Sequence, residues 1–346
     1  MKKLTQGKLP PNLLRKIIKK YIGIIDKKVL VGPEVGFDSA IIQITDDKIV
    51  VTTDPALFIP REIPIEMFAF GLVHFAGSDI AVFGAKPKWM IYNLLFPPYT
   101  DSSFILDIAK AVDKECKKWN ISIIGGHTGV YSGIKIPIGT TTMIGELISD
   151  KPILPSGAKP GDSIILTKWL GLEFLVALSY GKPNLIENLL GKKGLEKYRT
   201  LYTMQTTIPE AMLLTKELKP HAMHDVTEGG LAAALNEMAD SSNVDFIIRK
   251  EDLPISTDLD KVFSELKIDP LKVSSTGSLL ISIEKEKTDD IISLLSRSGI
   301  HASIIGEFKK KGTGRFLEIE GKVLPFPEPG TDFFADFFVI SNNKKV

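Results

Sequence analysis

The chain of 346 residues is long enough for two domains with sizeable hydrophobic cores. Its hydrophobic content of 44%, charged content of 25% and net charge of +1 are ordinary for a globular protein, and they do not support nucleic acid or an anionic membrane as the main partner. The single cysteine, Cys116, excludes an intrachain disulfide and a multi-thiolate metal site. Lysines flank it in DKECKKWN, so we expect a thiol on a helix surface, either without a role or with its pKa lowered by the lysines.

The N-terminal residues MKKLTQGKLPPNLL contain no apolar stretch long enough for a signal peptide, which favours a cytoplasmic location. The longest apolar run is MFAFGLVHFAGSDIAVFGA, residues 67–85. It contains His74 and Asp79, which a membrane-spanning helix rarely tolerates. The run therefore predicts a helix buried inside the protein.

Periodicity and turn residues predict the elements of the first half of the chain. We expect, in chain order, an amphipathic helix at 13–22, three strands within 29–57, the buried helix at 67–85, a strand at 88–97, a helix at 101–120 capped by Asp101 or Ser102, a short buried strand at 121–126 and an alternating strand at 135–148.

Prolines and glycines in KPILPSGAKPGD, residues 151–162, indicate a connector, so we place the domains at 1–150 and 151–346. Beyond it we expect a strand at 163–170, a mainly helical region at 170–220, a strand at 244–250, a helix near 258–267, a strand at 278–284, a helix from Thr288 with that residue as a possible cap, and a final strand at 301–309. Strands and helices mix without strict alternation, which predicts an α+β fold in two domains.

The stretch HDVTEGGLAAALNEMA predicts a helix that begins with a capping box of Asp225 and Glu228. Gly229 and Gly230 then fall in its first turn, where each glycine costs about 1 kcal/mol relative to alanine. Two explanations remain open. The backbone N–H groups that follow Thr227 could bind a phosphate, since glycine lets a ligand approach the start of a helix closely. Alternatively, the glycines allow tight packing of the helix.

Four acidic residues lie in or beside apolar segments: Asp38 in VGFDSAII, Asp54 in VVTTDPAL, Asp79 in AGSDIAVFGA and Asp225. Each alone can be a cap or a turn residue, although Asp79 lies inside an otherwise apolar predicted helix, which makes such a role difficult. If they converge, their mutual repulsion requires a hard cation, and Mg²⁺ takes oxygen ligands that it shares with phosphates.

The stretch IIGGHTGVYSG, residues 123–133, predicts a buried strand that runs into a glycine-rich loop. Gly125, Gly126 and Thr128 could hold a phosphate through backbone N–H groups. His127 can serve as an acid–base group or as a hydrogen-bonded structural residue. The GxxxxGK[ST] motif is absent, so an ATP site here would not be of the P-loop kind.

Taken in order, these stretches resemble the superfamily of aminoimidazole ribonucleotide (AIR) synthase, the hydrogenase maturation protein HypE, selenophosphate synthetase and thiamine-monophosphate kinase. GKLPPNLLRKII is similar to the N-terminal segment of HypE, GFDSAII to GDDAAV, TTDP to TTD, AGSDIAVFGAKP to NDIAAMGAKP, GGHT to GG-[DNH]-T, and HDVTEGGLAAALNEMA to the HypE motif HDPT-x-GGL. PGD, STGSLL and the later IGE complete the pattern, which covers nearly the whole chain.

The resemblance implies an N-terminal α+β domain that forms a barrel with the copy in a second subunit, and a C-terminal α/β sandwich domain, with ATP between them. It implies a homodimer, and the net charge of +1 separately favours no nucleic-acid or membrane partner. The implied Mg²⁺ ligands are Asp38, Asp54 and Asp225, the implied catalytic residues are Lys8 and Asp225, and the implied nucleotide- or phosphate-binding residues are Asp79, Gly125, Gly126, His127, Thr128, Thr227, Gly229 and Gly230.

Several departures from the family pattern bear on the chemistry. Phe37 replaces the first aspartate of GDDAA, and the last residues, FFVISNNKKV, lack the terminal cysteine through which HypE works. Thr5, Gln6 and Gly7 precede Lys8, where selenophosphate synthetase has a cysteine or selenocysteine. VTEGGL replaces the SDGL-like motif of the kinase. The known reactions of these relatives are therefore not expected in their original form.

Two hypotheses follow. The first is a HypE-like enzyme that uses ATP and Mg²⁺ to transfer a phosphoryl group to an oxygen of an amide, carbonyl or phosphate on an unidentified substrate. The alternative is a homodimeric scaffold of a metalloenzyme maturation complex that binds the nucleotide without turnover.

Overall fold

The computed structural model describes Arg15 and residues 26–44, 47–59 and 62–330. Within these residues, thirteen strands form two sheets and eight α-helices cover them. The predicted α+β class is confirmed. Apart from Arg15, the amphipathic helix predicted at 13–22 lies outside the described residues, as does most of the tail after Pro329.

The first sheet is built by the N-terminal half in the order β1-β2-β3-β6-β4-β5. Its strands are Val29–Val31 (β1), Ala40–Ile44 (β2), Asp47–Leu57 (β3), Ala85–Phe96 (β4), Ser122–Val130 (β5) and Ile138–Leu147 (β6). All neighbours are antiparallel except β4 and β5, which are parallel and joined by a helical crossover. The helices of this half are Ile65–Val82 (α1) and Ser102–Trp119 (α2), and Asp101 caps α2 by accepting from the backbone N–H of Ser103 at 2.8 Å.

The second sheet has the order β13-β12-β9-β11-β7-β10-β8. Its strands are Ser163–Thr167 (β7), Ala222–Asp225 (β8), Val244–Arg249 (β9), Leu279–Ile283 (β10), Ala302–Lys310 (β11), Arg315–Ile319 (β12) and Lys322–Pro325 (β13). The helices of this half are Leu172–Gly181 (α3), Pro183–Thr200 (α4), Ile208–Glu217 (α5), Gly230–Ser242 (α6), Thr257–Leu266 (α7) and Thr288–Arg297 (α8). The strand predicted as the last, β11, is followed by the hairpin β12–β13, so that prediction was wrong.

Helix α1 joins the two halves. It packs on the first sheet, on α2 and α5, and on the edge strand β8 of the second sheet, and its residues share one core cluster with α5, α8 and β10. It is the one helix in the described part of the chain that is long and apolar enough to cross a membrane, and 72% of it is buried inside the protein. Two sheets enclose α1, which explains why it is apolar on every face.

Cys116 lies on the inner face of α2, contrary to the expected surface position. Its Sγ lies 3.6 Å from the Sδ of Met90 on β4. Burial first, and then the charges of Asp113 and Glu115, raise the pKa of this thiol to about 12. The flanking lysines therefore do not activate it, because the helix turns them outward while the thiol faces the core.

Two further local predictions were wrong. Thr288 does not cap α8, because the N-cap is Lys287 and the hydroxyl of Thr288 bonds Ser163 at 2.7 Å. The strand expected to be buried at 121–126 is the exposed edge strand β5, which continues to Val130. Its apolar residues suggested burial, but edge position is set by strand order in the sheet, which local sequence does not encode.

Candidate functional site

A cleft of about 460 Å³ opens where the two halves meet, a volume typical of small-molecule sites. The first half contributes the end of β3 and one face of α1. The second half contributes the end of β8, the start of α3 and the loop 274–276. Neither half encloses this cleft alone, so residues distant in sequence meet in it.

The four acidic residues singled out from the sequence all line this cleft. Asp38 lies in the loop before β2, Asp54 lies near the end of β3, Asp79 lies on α1 and Asp225 ends β8. The structure thus brings them together from four different elements. Their role as metal ligands stays a prediction.

Asp79 is the most perturbed of these carboxyl groups. Burial first, and then the charges of Asp225, Asp54 and Asp38, raise its pKa well above the usual range, against the hydrogen bond from Thr52. The Thr52 hydroxyl lies 2.9 Å from Asp79 Oδ2 and 2.8 Å from the backbone oxygen of Asp38. The single hydroxyl proton of Thr52 can be donated to either oxygen, so this hydroxyl links the Asp79 carboxyl to the backbone of Asp38.

His224 lies behind the carboxylates and was given no role from the sequence. Its Nδ1 lies 2.9 Å from Asp38 Oδ2 and 3.5 Å from Asp225 Oδ1, and its Nε2 lies 3.1 Å from Glu237 Oε2. Burial opposes the charged form, but Asp38, Asp225 and Glu237 outweigh it and raise the pKa of His224 well above the usual range. A protonated imidazole at this position would offset part of the surrounding negative charge. The signal in the sequence that could have pointed to His224 was its position directly before Asp225.

The donor atoms of Asp38, His224 and Asp225 lie within 4.8 Å of one another, close enough to share one cation. His224 faces carboxylates through both ring nitrogens, and its Nδ1 is not aligned for a hydrogen bond to Asp38 despite the short distance. A protonated imidazole cannot ligate a metal. The remaining donors are carboxylate oxygens, which fit a hard cation such as Mg²⁺.

The start of α6 differs from the predicted capping box. Asp225 is the last residue of β8, and the helix begins only at Gly230, with Gly229 as its N-cap and no side-chain cap. Both glycines have positive φ, +84° at Gly229 and +63° at Gly230. A Cβ on Gly230 would lie 2.5 Å from the backbone oxygen of Val273. Tight packing therefore requires Gly230 to be glycine, independently of any ligand.

Thr227 and Glu228 line the cleft, but the two glycines do not. The predicted contact of Gly229 and Gly230 with a phosphate is not part of the cleft geometry. The phosphate contact of the two glycines stays a prediction. The predicted phosphate contact of Thr227 is compatible with the position of Thr227 on the cleft wall.

Gly125, Gly126, His127 and Thr128 lie on β5, at the opposite edge of the first sheet from the cleft. Two strands, β6 and β4, separate β5 from β3, which places them about 14 Å apart at the usual strand spacing. The chain therefore does not bring these four residues to its own cleft. Within the chain, His127 Nε2 lies 2.6 Å from the hydroxyl of Tyr131. Lys8 lies outside the described residues.

The second half contributes cleft residues that sequence reasoning missed: Glu173, Gln205, Ser274 and Thr276. Glu173 is the one charged residue in the apolar run LGLEFLVAL, the same signal that drew attention to Asp79. Thr276 belongs to the STGSLL stretch of the family pattern, although it was given no role, and Gln205 and Ser274 lie in loops without such a signal.

The sequences of the two halves match the two domains of one protein family. Residues 36–147 match the N-terminal domain of the AIR synthase related proteins, and residues 159–317 match the C-terminal domain. A putative hydrogenase expression/formation protein of Methanocaldococcus jannaschii is 29% identical over 316 residues, covering 90% of this chain and 91% of the relative. A selenide, water dikinase of the same organism is 26% identical, covering 89% and 90%. A thiamine-monophosphate kinase of Pyrococcus horikoshii is 26% identical, covering 90% and 93%.

Solved structures show the same fold. The hydrogenase maturation protein HypE in complex with ATP superposes with a TM-score of 0.69 at 22% identity, covering 86% of this chain and 90% of HypE. A ThiL protein complexed with AMPPCP and TMP superposes with a TM-score of 0.71 at 21% identity, covering 94% and 98%. Both domains match the family in order across most of the chain, and the two-domain architecture is shared. The chain therefore belongs to the family of AIR synthase related proteins.

Proposed function

We propose that this protein is an ATP- and Mg²⁺-dependent enzyme that transfers a phosphoryl group to an oxygen of an amide, carbonyl or phosphate. The observation that carries the proposal is the convergence of Asp38, Asp54, Asp79 and Asp225 on one cleft. Relatives that are kinases or dikinases, and a relative solved with ATP, support phosphoryl transfer as the reaction class.

Charge balance supports a metal-dependent site. No lysine, arginine or histidine is among the described residues that line the cleft, so none of these residues offers a positive charge to a triphosphate. We assign Asp38, Asp54 and Asp225 as the Mg²⁺ ligands, and bound Mg²⁺ would neutralise phosphate charge. Asp225 adjoins both the ligand set and the Thr227 loop, so it would also orient the reacting phosphate. Lys8 is proposed to neutralise charge that develops on the transferred group.

The test is calorimetry of ATP binding with and without Mg²⁺, on the wild type, Asp54→Asn and Asp107→Asn. The last variant is a matched control, because Asp107 lies exposed on α2 away from the cleft. We expect Mg²⁺-dependent binding that is lost in Asp54→Asn and kept in Asp107→Asn. Absence of ATP binding by the wild type would contradict the proposal.

The alternative is a nucleotide-binding homodimeric scaffold in a metalloenzyme maturation complex. It is favoured by Phe37, which lines the cleft where the family pattern has an aspartate and stacks edge-on against Phe83 at 6.2 Å. The scaffold would bind ATP without hydrolysis in the presence of any candidate substrate. Measured turnover decides between the two.

We also propose a cytoplasmic homodimer built on the first sheet. Thr52 of β3 faces α1, so its neighbour Val51, paired with Ile144, points to the uncovered face. The edge strand β5 also exposes apolar side chains, including Ile124 at 54%. A second copy covering this side could bring its GGHT segment to the cleft of the first.

Ile124→Lys should therefore give a monomer in light scattering. Val323→Lys on β13, equally exposed at 54%, should leave the dimer intact. A wild type that is monomeric at all concentrations would contradict the dimer.

A further inference from the structure

A polar cluster outside the cleft joins Asp162, His221 and Lys159 at the other end of the second sheet. Asp162 lies directly before β7, and His221 lies directly before β8. The cleft residue Asp225 ends β8, about 13 Å from His221 at the usual rise per residue of a strand. The proposed phosphoryl transfer in the cleft therefore does not account for this cluster.

Asp162 fixes the orientation of the His221 ring. Its two carboxylate oxygens lie 3.0 and 2.9 Å from His221 Nδ1. Because a carboxylate only accepts hydrogen bonds, this contact requires the proton on Nδ1. Asp162 is 4% exposed and also accepts from the Ser282 hydroxyl at 2.6 Å. The backbone N–H of His221 donates to the backbone oxygen of Ser282 at 2.9 Å, so both the ring and the backbone of the histidine are held.

Lys159 contacts the other ring nitrogen of His221. Its Nζ lies 3.0 Å from His221 Nε2. A lysine ammonium has three donors and no acceptor, so Nε2 is the acceptor in this hydrogen bond. The backbone N–H of Lys159 donates to the Asp162 carboxylate at 2.9 Å, and its backbone oxygen accepts from the N–H of Asp162 at 3.1 Å. One turn of the chain thus places a carboxylate, an imidazole and an amine in series.

This series allows the imidazole to take a proton from the amine. After the transfer, the imidazolium donates to Asp162 through Nδ1 and faces Glu284 Oε2, which lies 3.9 Å from Nε2. The other oxygen of Glu284 pairs with Lys287. Two carboxylates therefore stabilise the charged imidazole, and the amine is left with a lone pair that can attack an electrophile. Lys159 is exposed, so a reagent in solution can reach it.

We propose that Lys159 is a modification site that is acylated by an acyl phosphate, with His221 as the general base and Asp162 as the residue that orients it. An acyl phosphate is already activated, so the protein supplies only the amine and the base. Nζ attacks the carbonyl carbon, a C–N bond forms, and the C–O bond breaks with its electron pair leaving on phosphate. The ammonium loses two protons: one passes through His221 Nε2 to water, and the other ends on the released phosphate.

The test follows the acetylation of individual lysines by acetyl phosphate near neutral pH, using mass spectrometry of peptides. Lys193, exposed on α4, is the reference lysine. General-base catalysis typically contributes about 10²–10⁴-fold, so Lys159 of the wild type should react at least about tenfold faster than Lys193. His221→Gln should reduce the rate at Lys159 to about that at Lys193. The same change at the exposed His301 should leave the rate at Lys159 as it is in the wild type.

Equal rates at Lys159 and Lys193 in the wild type would overturn the proposal, and this comparison requires no variant to fold. An unchanged rate at Lys159 in His221→Gln, shown by urea denaturation to be folded, would also overturn it. The N-hydroxysuccinimide ester of acetic acid is an uncharged donor that should give the same preference for Lys159. Loss of the preference with this ester would assign it to attraction of the phosphate and overturn the general base.

The modification site is independent of the proposed function, because Lys159, Asp162 and His221 are not among the residues that line the cleft. Absence of ATP binding would contradict phosphoryl transfer and leave the selective acetylation of Lys159 standing. Equal acetylation rates would remove the modification site and leave phosphoryl transfer standing.

Discussion

Replacing Gly230 by alanine should destabilise the protein strongly, because the structure leaves no room for a Cβ. At φ +63° an L-residue costs about 1–2 kcal/mol. The added Cβ would lie 2.5 Å from the oxygen of Val273 and 2.7 Å from that of Leu271, both backbone atoms that move only with their loop. Overpacking of this kind costs about 1–3 kcal/mol. The expected loss in the free energy of unfolding is therefore about 2–5 kcal/mol.

Gly299→Ala is the matched control for this variant. Gly299 has φ +74°, but a Cβ there would meet nothing within 4 Å, so only the backbone cost of about 1–2 kcal/mol applies. Urea denaturation of both variants gives the difference, and ATP calorimetry on the same samples tests the phosphate contact. Equal destabilisation by the two substitutions would refute the packing argument. Loss of ATP affinity at unchanged stability would instead support a phosphate cradle at the helix start.

Three further outcomes are expected. Lys168→Met should lower the free energy of unfolding by about 3–5 kcal/mol in urea denaturation, because it leaves the carboxylate of Glu210 buried without its cation. Adding Glu210→Gln should recover part of that loss. If the two substitutions are simply additive in the double variant, this reasoning is contradicted. Burial by itself raises the pKa of Glu115, but hydrogen bonds from His74 and Lys118 outweigh it and hold the pKa at about 2. This stabilisation is present above a pH of about 4.5, the ordinary pKa of the group, and it is lost as the pH falls from there to about 2. In Glu115→Gln, the free energy of unfolding should therefore fall less over that pH range than in the wild type, by about 1–2 kcal/mol after solvent screening. An unchanged acid profile would argue against this role. ATP with Mg²⁺ at 100 times its dissociation constant should stabilise the wild type by about 2.7 kcal/mol in thermal unfolding, and the same addition should leave Asp54→Asn unchanged.

His74 connects Glu115 to the polar network behind the cleft. Burial first lowers the pKa of His74, so its imidazole is neutral at neutral pH. Its Nε2–H then donates to Glu115, and its Nδ1 accepts from the hydroxyl of Thr206. The histidine thus connects α2 to the segment that carries Gln205, and it helps to fix the wall of the cleft.

The sequence by itself predicted most of the helices and strands, and it drew attention to several residues that line the cleft. The apolar run around Asp79 predicted a buried helix, the alternation at 135–148 predicted a strand, and acids among apolar residues drew attention to four carboxylates whose convergence only the fold shows. These predictions rest on local patterning, because burial selects residue types with a period set by the element. The same logic, applied to LGLEFLVAL, would have found Glu173.

The tertiary structure alone decided which residues share a cleft. The GGHT segment has the composition of a phosphate loop, but strand order places it on the edge of the sheet opposite Asp54. Gly230 stands where the sequence suggested an anion site, but the close approach of the loop at Leu271 and Val273 explains why this residue is glycine. Strand order and loop packing depend on contacts between residues far apart in the chain. Local periodicity contains no information on those contacts, so only the assembled fold could decide them.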